Sequence, residues 1–421
     1  MRVLVIGGGG REHAVVKKLA QSPKVASIYA LPGNAGMKEA TLVPGNPMDR
    51  EEVVGAAVRL RIDFAVVTPD DPLAAGLVDA LEEAGIPCFG PDQKAAQIEA
   101  SKVFAKGLMR RYGIPTARWE AFDDLAQAMA YAKQEPFPLV VKADGLAKGK
   151  GVIIANTYDE AAAALQDMMA RKAFGDSGSR VVIEEMLEGP EVSVLCFADG
   201  ETVVPMVSAM DHKRALDGDK GLNTGGMGAV APNPYYTGDI AERAMREIFL
   251  PTVRGMAQEG RPFKGCLFFG LMLTKDGPKV LEYNARLGDP ETQAVLPLME
   301  SDLMDAMLAV RHGALKDEQV AFSSRHACCV VLCSGGYPGA FKAGFPIDAG
   351  GVEALYAGAA MKDGRLVTAG GRVMGVTALG DTLRDAVRSA YDLAEKVRFE
   401  GMHFRRDIGA KALLAEENRH G

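Results

Sequence analysis

The stretch KVLEYNARLGDPETQ, residues 279–293, decides how the rest of the chain is read. Residues 280–286 have strand character, and the apolar run CLFFGLML (266–273) with a Lys275-Asp276-Gly277-Pro278 turn precedes them. The two runs predict an antiparallel hairpin. Alternate side chains of a strand share a face, so Glu282, Asn284 and Arg286 project together while Leu281, Tyr283 and Ala285 point the other way. A carboxylate and an amide oxygen are hard ligands suited to Mg²⁺ or Mn²⁺, and a guanidinium forks onto a carboxylate or phosphate. A solvated hairpin face is the bland alternative. The acidic, glycine-containing LGDPET turn that follows favours a metal–phosphate platform.

A chain of 421 residues exceeds one ordinary core and implies several domains. Its 48% hydrophobic and 24% charged residues fit a soluble globular protein. The net charge of −7, with no block of Lys or Arg, argues against a nucleic-acid or anionic-membrane surface. The opening MRVLVIGGGG reads as a strand entering a glycine turn, not a signal peptide, and no run reaches the ~18 apolar residues of a membrane span. Cysteines without a regular framework suggest reduced thiols in the cytoplasm. Cys328, Cys329 and Cys333 lie in HACCVVLCS, a buried-strand pattern, which argues for packing and against zinc.

Residues 1–100 alternate strands (3–6, 27–31, 64–68, 86–89) with helices (11–21, 49–60, 73–84), which predicts an open parallel sheet with its ligand at the strands' carboxyl ends. The loops there are Gly7–Gly10, 32–36 and 68–72. GxGxxG would need glycine at position 12, which is Glu12, so NAD binding is not expected. The glycine turn serves either a single phosphate or packing alone. Ser101 caps a helix running to Tyr112 and places Lys102 in its first turn, against the dipole. PLVVKADGLAKGKGVIIA (138–155) sets Lys142, Lys148 and Lys150 in a glycine-rich loop between two strands. It lacks Walker spacing and reads as a cationic lid over nucleotide phosphates. The linker 186–190 between strands 181–185 and 192–197 could offer backbone groups to a purine edge, with Glu191 at the ribose. Residues 211–234 have no sustained period and read as a long functional loop for a phosphorylated sugar. His212 there is given no proton-transfer role. Beyond residue 315 the pattern restarts with strands near 327–333, 352–356, 366–368 and 372–378 and a helix over 381–397. No catalytic constellation is visible in that part, and Arg405–Gly409 is site chemistry or a helix-cap turn.

GGGGREHA (7–14), PGNAG (32–36), KADGLAKGKGV (142–152), DHKR (211–214), NTGGMGA (223–229) and EYNARLGDPETQ (282–293) together resemble the phosphoribosylamine–glycine ligase (glycinamide ribonucleotide synthetase) family of the ATP-grasp superfamily. These segments span nearly the whole chain in the family's order. The resemblance implies an α/β chain of ATP-grasp architecture. An N-terminal open parallel, Rossmann-like domain would occupy 1–100, an ATP-grasp domain 101–314 with a lid over about 118–190, and a small C-terminal α/β domain 315–421. It implies ligation of glycine to 5-phosphoribosylamine with ATP through glycyl phosphate, in purine synthesis. Lys102, Lys142 and Lys148 would contact ATP, Glu184, Glu185 and Leu187 its adenine, and Glu191 its ribose. Glu282 and Asn284 would hold Mg²⁺ or Mn²⁺. Arg286, Asp289 and Lys213 take catalytic roles, Arg286 and Lys213 also meeting substrate. Gly9, Gly10, Asn34, Asp70, Asp211, His212, Asn223 and Gly226 complete the substrate pocket. The implied partners are these small molecules and, transiently, neighbouring purine-pathway enzymes, with neither nucleic acid nor membrane. The chain departs from the family at Thr68, where glycine is usual, at Asp70 in place of glutamate, and at Leu287 in place of phenylalanine. Another ATP-grasp ligase would lack DHKR with NTGGMG, and a non-catalytic sensor would tolerate loss of Glu282, Asn284 or Arg286.

Overall fold

The computed structural model describes residues 1–146, 151–173 and 175–420. In the first hundred residues the Val- and Ile-rich runs are buried on both faces, as strands covered by helices on either side must be. They pair in parallel in the order Thr41–Leu42, Ser27–Pro32, Arg2–Gly7, Phe64–Val67, Cys88–Phe89. The strand order reverses between Arg2–Gly7 and Phe64–Val67, so the loops leaving those two strands flank the crevice of the sheet. The helix expected over 73–84 is two, Asp70–Ala74 and Leu77–Glu83. They are split at Gly76, whose φ of +82° breaks the helical run. Asp70 thus stands in the first turn of a helix rather than in a free loop.

Two antiparallel sheets follow. One takes Trp119–Phe122, Val181–Glu185, Leu139–Ala143 and Val152–Ala155 in that spatial order, packed on the helices Leu125–Ala132 and Tyr158–Leu165 around a core of its own. The other orders Val203–Pro205, Glu191–Asp199, Lys264–Thr274 and Gly277–Asn284. The expected hairpin is present, with its second strand ending at Asn284 rather than at residue 286 and with an irregularity that leaves Leu281 outside the pairing register.

The reading of 211–234 as unstructured needs correction. Met210–Asp211 and Gly228–Ala231 are strands of a five-stranded sheet completed by His326–Cys333, Arg372–Gly380 and Leu355–Tyr356. Arg214–Leu216 and Lys220–Asn223 form a small hairpin. The pairing of Gly228–Ala231 with His326–Cys333 bridges some hundred residues, and no local period reports such a partner. Cys328, Cys329 and Cys333 are buried in that strand as free thiols. Arg405 is 1% exposed and donates to Asp219 at 2.8 Å and to Asp407 at 2.7 Å, tying the small hairpin to the turn before a last helix, Ala410–His420, which the sequence reading lacked. Arg405–Gly409 is therefore a structural turn.

Candidate active site

The two antiparallel sheets face one another across a cleft of about 1130 Å³. On its floor Glu282 pairs in register with Gly270, where a Cβ would stand 3.2 Å from the Glu282 Cγ. Glycine on the neighbouring strand leaves the carboxylate room to turn into the cleft. Burial works against its charge, yet the ammonium groups of Lys213, Lys142 and Lys102 hold its pKa below the ordinary value. Among the described residues its oxygens have no hydrogen-bond partner. The Asn284 Oδ1 accepts from Arg286 Nη2 at 3.2 Å, which orients the amide oxygen. A carboxylate left free among cations, beside an oriented amide oxygen, fits a divalent cation with hard ligands.

Arg286 is clamped by three acceptors: Glu99 Oε1 at 3.0 Å, Asn284 Oδ1, and the Leu287 carbonyl at 3.4 Å. Its Nε is buried without a hydrogen-bond partner among the described residues. Burial opposes its charge, but Glu99 and Asp70 raise its pKa above the ordinary value. Glu99 accepts the Ala285 amide at 2.7 Å on its other oxygen, so it fixes both the strand end and the guanidinium.

The opposite wall is cationic. Ser101 caps the helix Lys102–Arg111 by accepting from the Phe104 amide. Lys102 donates to the Gly145 carbonyl at 3.0 Å, and burial lowers its pKa against the pull of Glu282. Lys142 donates to the Leu281 carbonyl at 3.1 Å, linking the wall to the strand that carries Glu282. Lys148 and Lys150 lie outside the described residues. Glu184 is buried with its carboxylate between Lys106 (2.9 Å) and Lys142 (3.1 Å). Glu185 turns away to Arg118, so its side chain is committed elsewhere. Leu187 packs with Ala117 and Met272 at the cleft edge.

At the other end Lys213 reaches Glu191 Oε2 at 2.8 Å, and that carboxylate raises its pKa. Burial and the neighbouring Glu291 push the Asp211 carboxyl well above its usual range. His212 has both ring nitrogens engaged by backbone, Nδ1 with the Gly228 carbonyl (3.2 Å) and Nε2 with the Gly409 amide (3.1 Å), and burial lowers its pKa to about 4. Its imidazole is a neutral brace. Gly226 has φ +108°, and a Cβ there would stand 2.8 Å from Asp211 Oδ1. Arg372 donates to the carbonyls of Gly225 (2.5 Å) and Asp289 (2.9 Å) and lies 3.2 Å from the Asp289 carboxylate.

The structure thus brings Lys102, Lys142, Glu184, Glu185, Leu187, Glu191, Asp70, Asp211, His212, Lys213, Asn223, Glu282, Asn284, Arg286 and Asp289 to one cleft. Gly9, Gly10, Asn34 and Gly226 are not in its lining. The Asn34 amide is taken up by the carbonyls of Gly8 and Tyr356 and the amide of Gly36. At the glycine turn the anion is the chain's own. Glu12 accepts from Gly9 N, Arg11 Nε and Thr68 Oγ1, each at 2.6 Å. Thr68 thereby supplies a donor that glycine would lack. Sequence reasoning missed Lys106, Glu99 and Arg372. Lys106 follows Lys102 by four residues on one helix face, a detectable signal. Arg372 carried none, and it brings a residue of the C-terminal part, where no catalytic constellation was visible, to the cleft lining.

An open parallel sheet joined to two antiparallel sheets that close on a lysine-walled, carboxylate-floored cleft defines an ATP-grasp enzyme. The same fold is seen in a biotin carboxylase complex with β-γ-ATP from Campylobacter jejuni, with a TM-score of 0.72 at 14% identity over 95% of this chain and 92% of that one. Models of the phosphoribosylglycinamide synthetase N domain, ATP-grasp (A) domain and C domain match residues 1–99, 100–292 and 327–411. The chain is 47% identical over 417 residues to a phosphoribosylamine–glycine ligase of Caldanaerobacter subterraneus, covering 97% of this chain and all of that one. A crystal structure of the phosphoribosylamine–glycine ligase of Thermotoga maritima superposes with a TM-score of 0.87 at 36% identity, over 97% of this chain and all of that one. The chain belongs to the phosphoribosylglycinamide synthetase family.

Proposed function

We propose that the cleft ligates glycine to 5-phosphoribosylamine with ATP, yielding glycinamide ribonucleotide, ADP and phosphate in purine synthesis. The carrying observation is the Glu282–Asn284–Arg286 row facing Lys102, Lys142 and Lys213 across one cleft. A carboxylate oxygen is a poor leaving group, so the glycine carboxylate first attacks the γ-phosphorus and ADP departs, leaving glycyl phosphate. The neutral amine of phosphoribosylamine then attacks the acyl carbon, phosphate is expelled, and the amine's proton leaves to solvent. No covalent enzyme intermediate is required. Most of the acceleration then comes from positioning and preplaced charge.

Arg286 holds the glycine carboxylate and then the acyl phosphate, its unpartnered Nε adding a donor to the fork. Lys213, anchored by Glu191, and Lys102 and Lys142 of the opposite wall spread the phosphoryl charge. Glu282 and Asn284 would hold Mg²⁺ or Mn²⁺, which when bound neutralises charge on the phosphate oxygens. We place adenine against the 184–187 segment, where the Glu184 side chain and the backbone past Glu185 remain available, and ribose near Glu191. Asp70 sits beside Arg286 and Glu99 at the glycine end. Asp289 acts by fixing Arg372, which with Asp211, Asn223 and Gly226 frames the phosphoribosyl group. Gly9, Gly10 and Asn34 support this frame from behind.

The matched segments support a division near residue 100, and a second division near 314 with a lid over about 118–190 belongs to the same reading. The buried free cysteines support a cytoplasmic setting, and transient contact with neighbouring enzymes of the pathway belongs to the same reading. The test is phosphate release from ATP with glycine and phosphoribosylamine each omitted in turn. Release that needs both supports the ligase. Full release without either amine or glycine overturns it.

A further inference from the structure

Lys106 is 2% exposed, and so is its partner Glu184. An ammonium this deep is costly unless its donors are satisfied, and burial draws its pKa down to about 8 against the opposing pull of Glu184. Two of its donors are placed. One lies 2.9 Å from Glu184 Oε2, the other 2.7 Å from Thr116 Oγ1. Thr116 in turn donates to the Val280 carbonyl at 2.7 Å, on the strand that carries Glu282. Lys106 is therefore tethered at both ends of its reach. Across the carboxylate, Glu184 Oε1 is 3.1 Å from Lys142 Nζ at ion-pair distance but without hydrogen-bond geometry, and it is buried with no hydrogen-bond partner. One oxygen is held by Lys106, and the other lies beside Lys142 at the cleft lining with no hydrogen-bond partner among the described residues.

We propose that Lys106 is a positioning residue for nucleotide choice: by holding one Glu184 oxygen it aims the other at the exocyclic 6-position of the purine. This rests on placing the base against 184–187. A carboxylate between two ammonium groups offers acceptors and no donor. A 6-amino purine presents a donor there and is accepted. A 6-oxo purine presents an acceptor and leaves the carboxylate unmatched. Without Lys106 the carboxylate would turn toward Lys142, losing its aim.

The probes are ATP and inosine triphosphate, which differ at the 6-position. In Lys106→Met the ratio of kcat/KM for ATP over inosine triphosphate falls by about ten- to a hundredfold, the size of one hydrogen bond to a charged group. KM for ATP rises, while kcat at saturating ATP stays within about threefold of wild type. Lys106→Arg restores part of the ratio, which a merely structural role would not predict. Should Lys106→Met fail to fold, Thr116→Val, nearly isosteric, decides the matter by a smaller fall in the same direction. An unchanged ratio in the folded variants overturns the proposal. Amide exchange of 184–189 in the wild type with and without magnesium ATP separates the two levels. No protection there means the base lies elsewhere, and both readings fall. Protection with an unchanged ratio removes the role of Lys106 alone.

Discussion

Replacing Arg286 by lysine keeps the charge and removes the geometry. The guanidinium meets Glu99 Oε1, Asn284 Oδ1 and the Leu287 carbonyl at 3.0, 3.2 and 3.4 Å, three acceptors arranged around one plane. A lysine ammonium is a single point on a flexible stem and cannot serve that set while also forking onto a substrate carboxylate. Glu99 retains a cationic neighbour, so the loss of stability stays below the ~3–5 kcal/mol typical of deleting one partner of a buried pair. The kinetic loss is larger in consequence. One charge-assisted hydrogen bond to glycine disappears, worth ~1.5–3 kcal/mol, and kcat/KM for glycine falls about ten- to a hundredfold. KM for ATP changes little, because the base and ribose contacts lie at the other end of the cleft. The assay is ADP release at saturating ATP and phosphoribosylamine with glycine varied, beside a thermal melt. A glycine kcat/KM within about threefold of wild type in a folded variant refutes the assignment of Arg286 to the carboxylate.

Glu282→Ala leaves the melt near that of wild type, since the carboxylate has no hydrogen-bond partner among the described residues, but abolishes turnover at ordinary Mg²⁺; a near-normal rate there rejects the metal assignment. Arg372→Met leaves the Asp289 carboxylate with Gln293 alone and raises KM for phosphoribosylamine well above any change in KM for ATP; equal effects on the two, or none, would remove Arg372 from the phosphoribosyl end. His212 is buried and neutral with a pKa of about 4 against 6.5 for the ordinary imidazole. Between those values the unfolded chain takes the proton first, so its contribution to stability is intact above about pH 6.5 and falls as the pH drops to about 4, by at most roughly 3 kcal/mol. Asp211, Glu291 and Glu99, whose pKa values are raised chiefly by burial, push the other way. The contrast is therefore the urea midpoint of wild type and of His212→Asn across that window: a shallower fall in the variant is expected, and equal slopes refute it.

What the sequence made legible was whatever a short window contains. The strand carrying Glu282 and Asn284, the capped helix at Ser101 and the βαβ alternation of the first hundred residues are local patterns, and each is present in the fold, with Arg286 just past the strand's end. The misreadings share a different cause. Gly228–Ala231 looks like loop because its hydrophobic partner is His326–Cys333, far away in the chain. Arg372 looks idle because the carbonyls that receive it belong to residues 225, 226 and 289. The glycine turn looked ready for an external phosphate, since nothing in its spacing announces that the side chain of Glu12 folds back onto the Gly9 amide. In each case a buried polar group found its partner through topology, and burial makes such partners obligatory. The same rule works in reverse on Arg286 Nε and Glu184 Oε1. Two buried polar atoms of the cleft have no hydrogen-bond partner among the described residues. An enzyme that must bind a zwitterion and a purine would leave a donor and an acceptor without a hydrogen bond at those two ends.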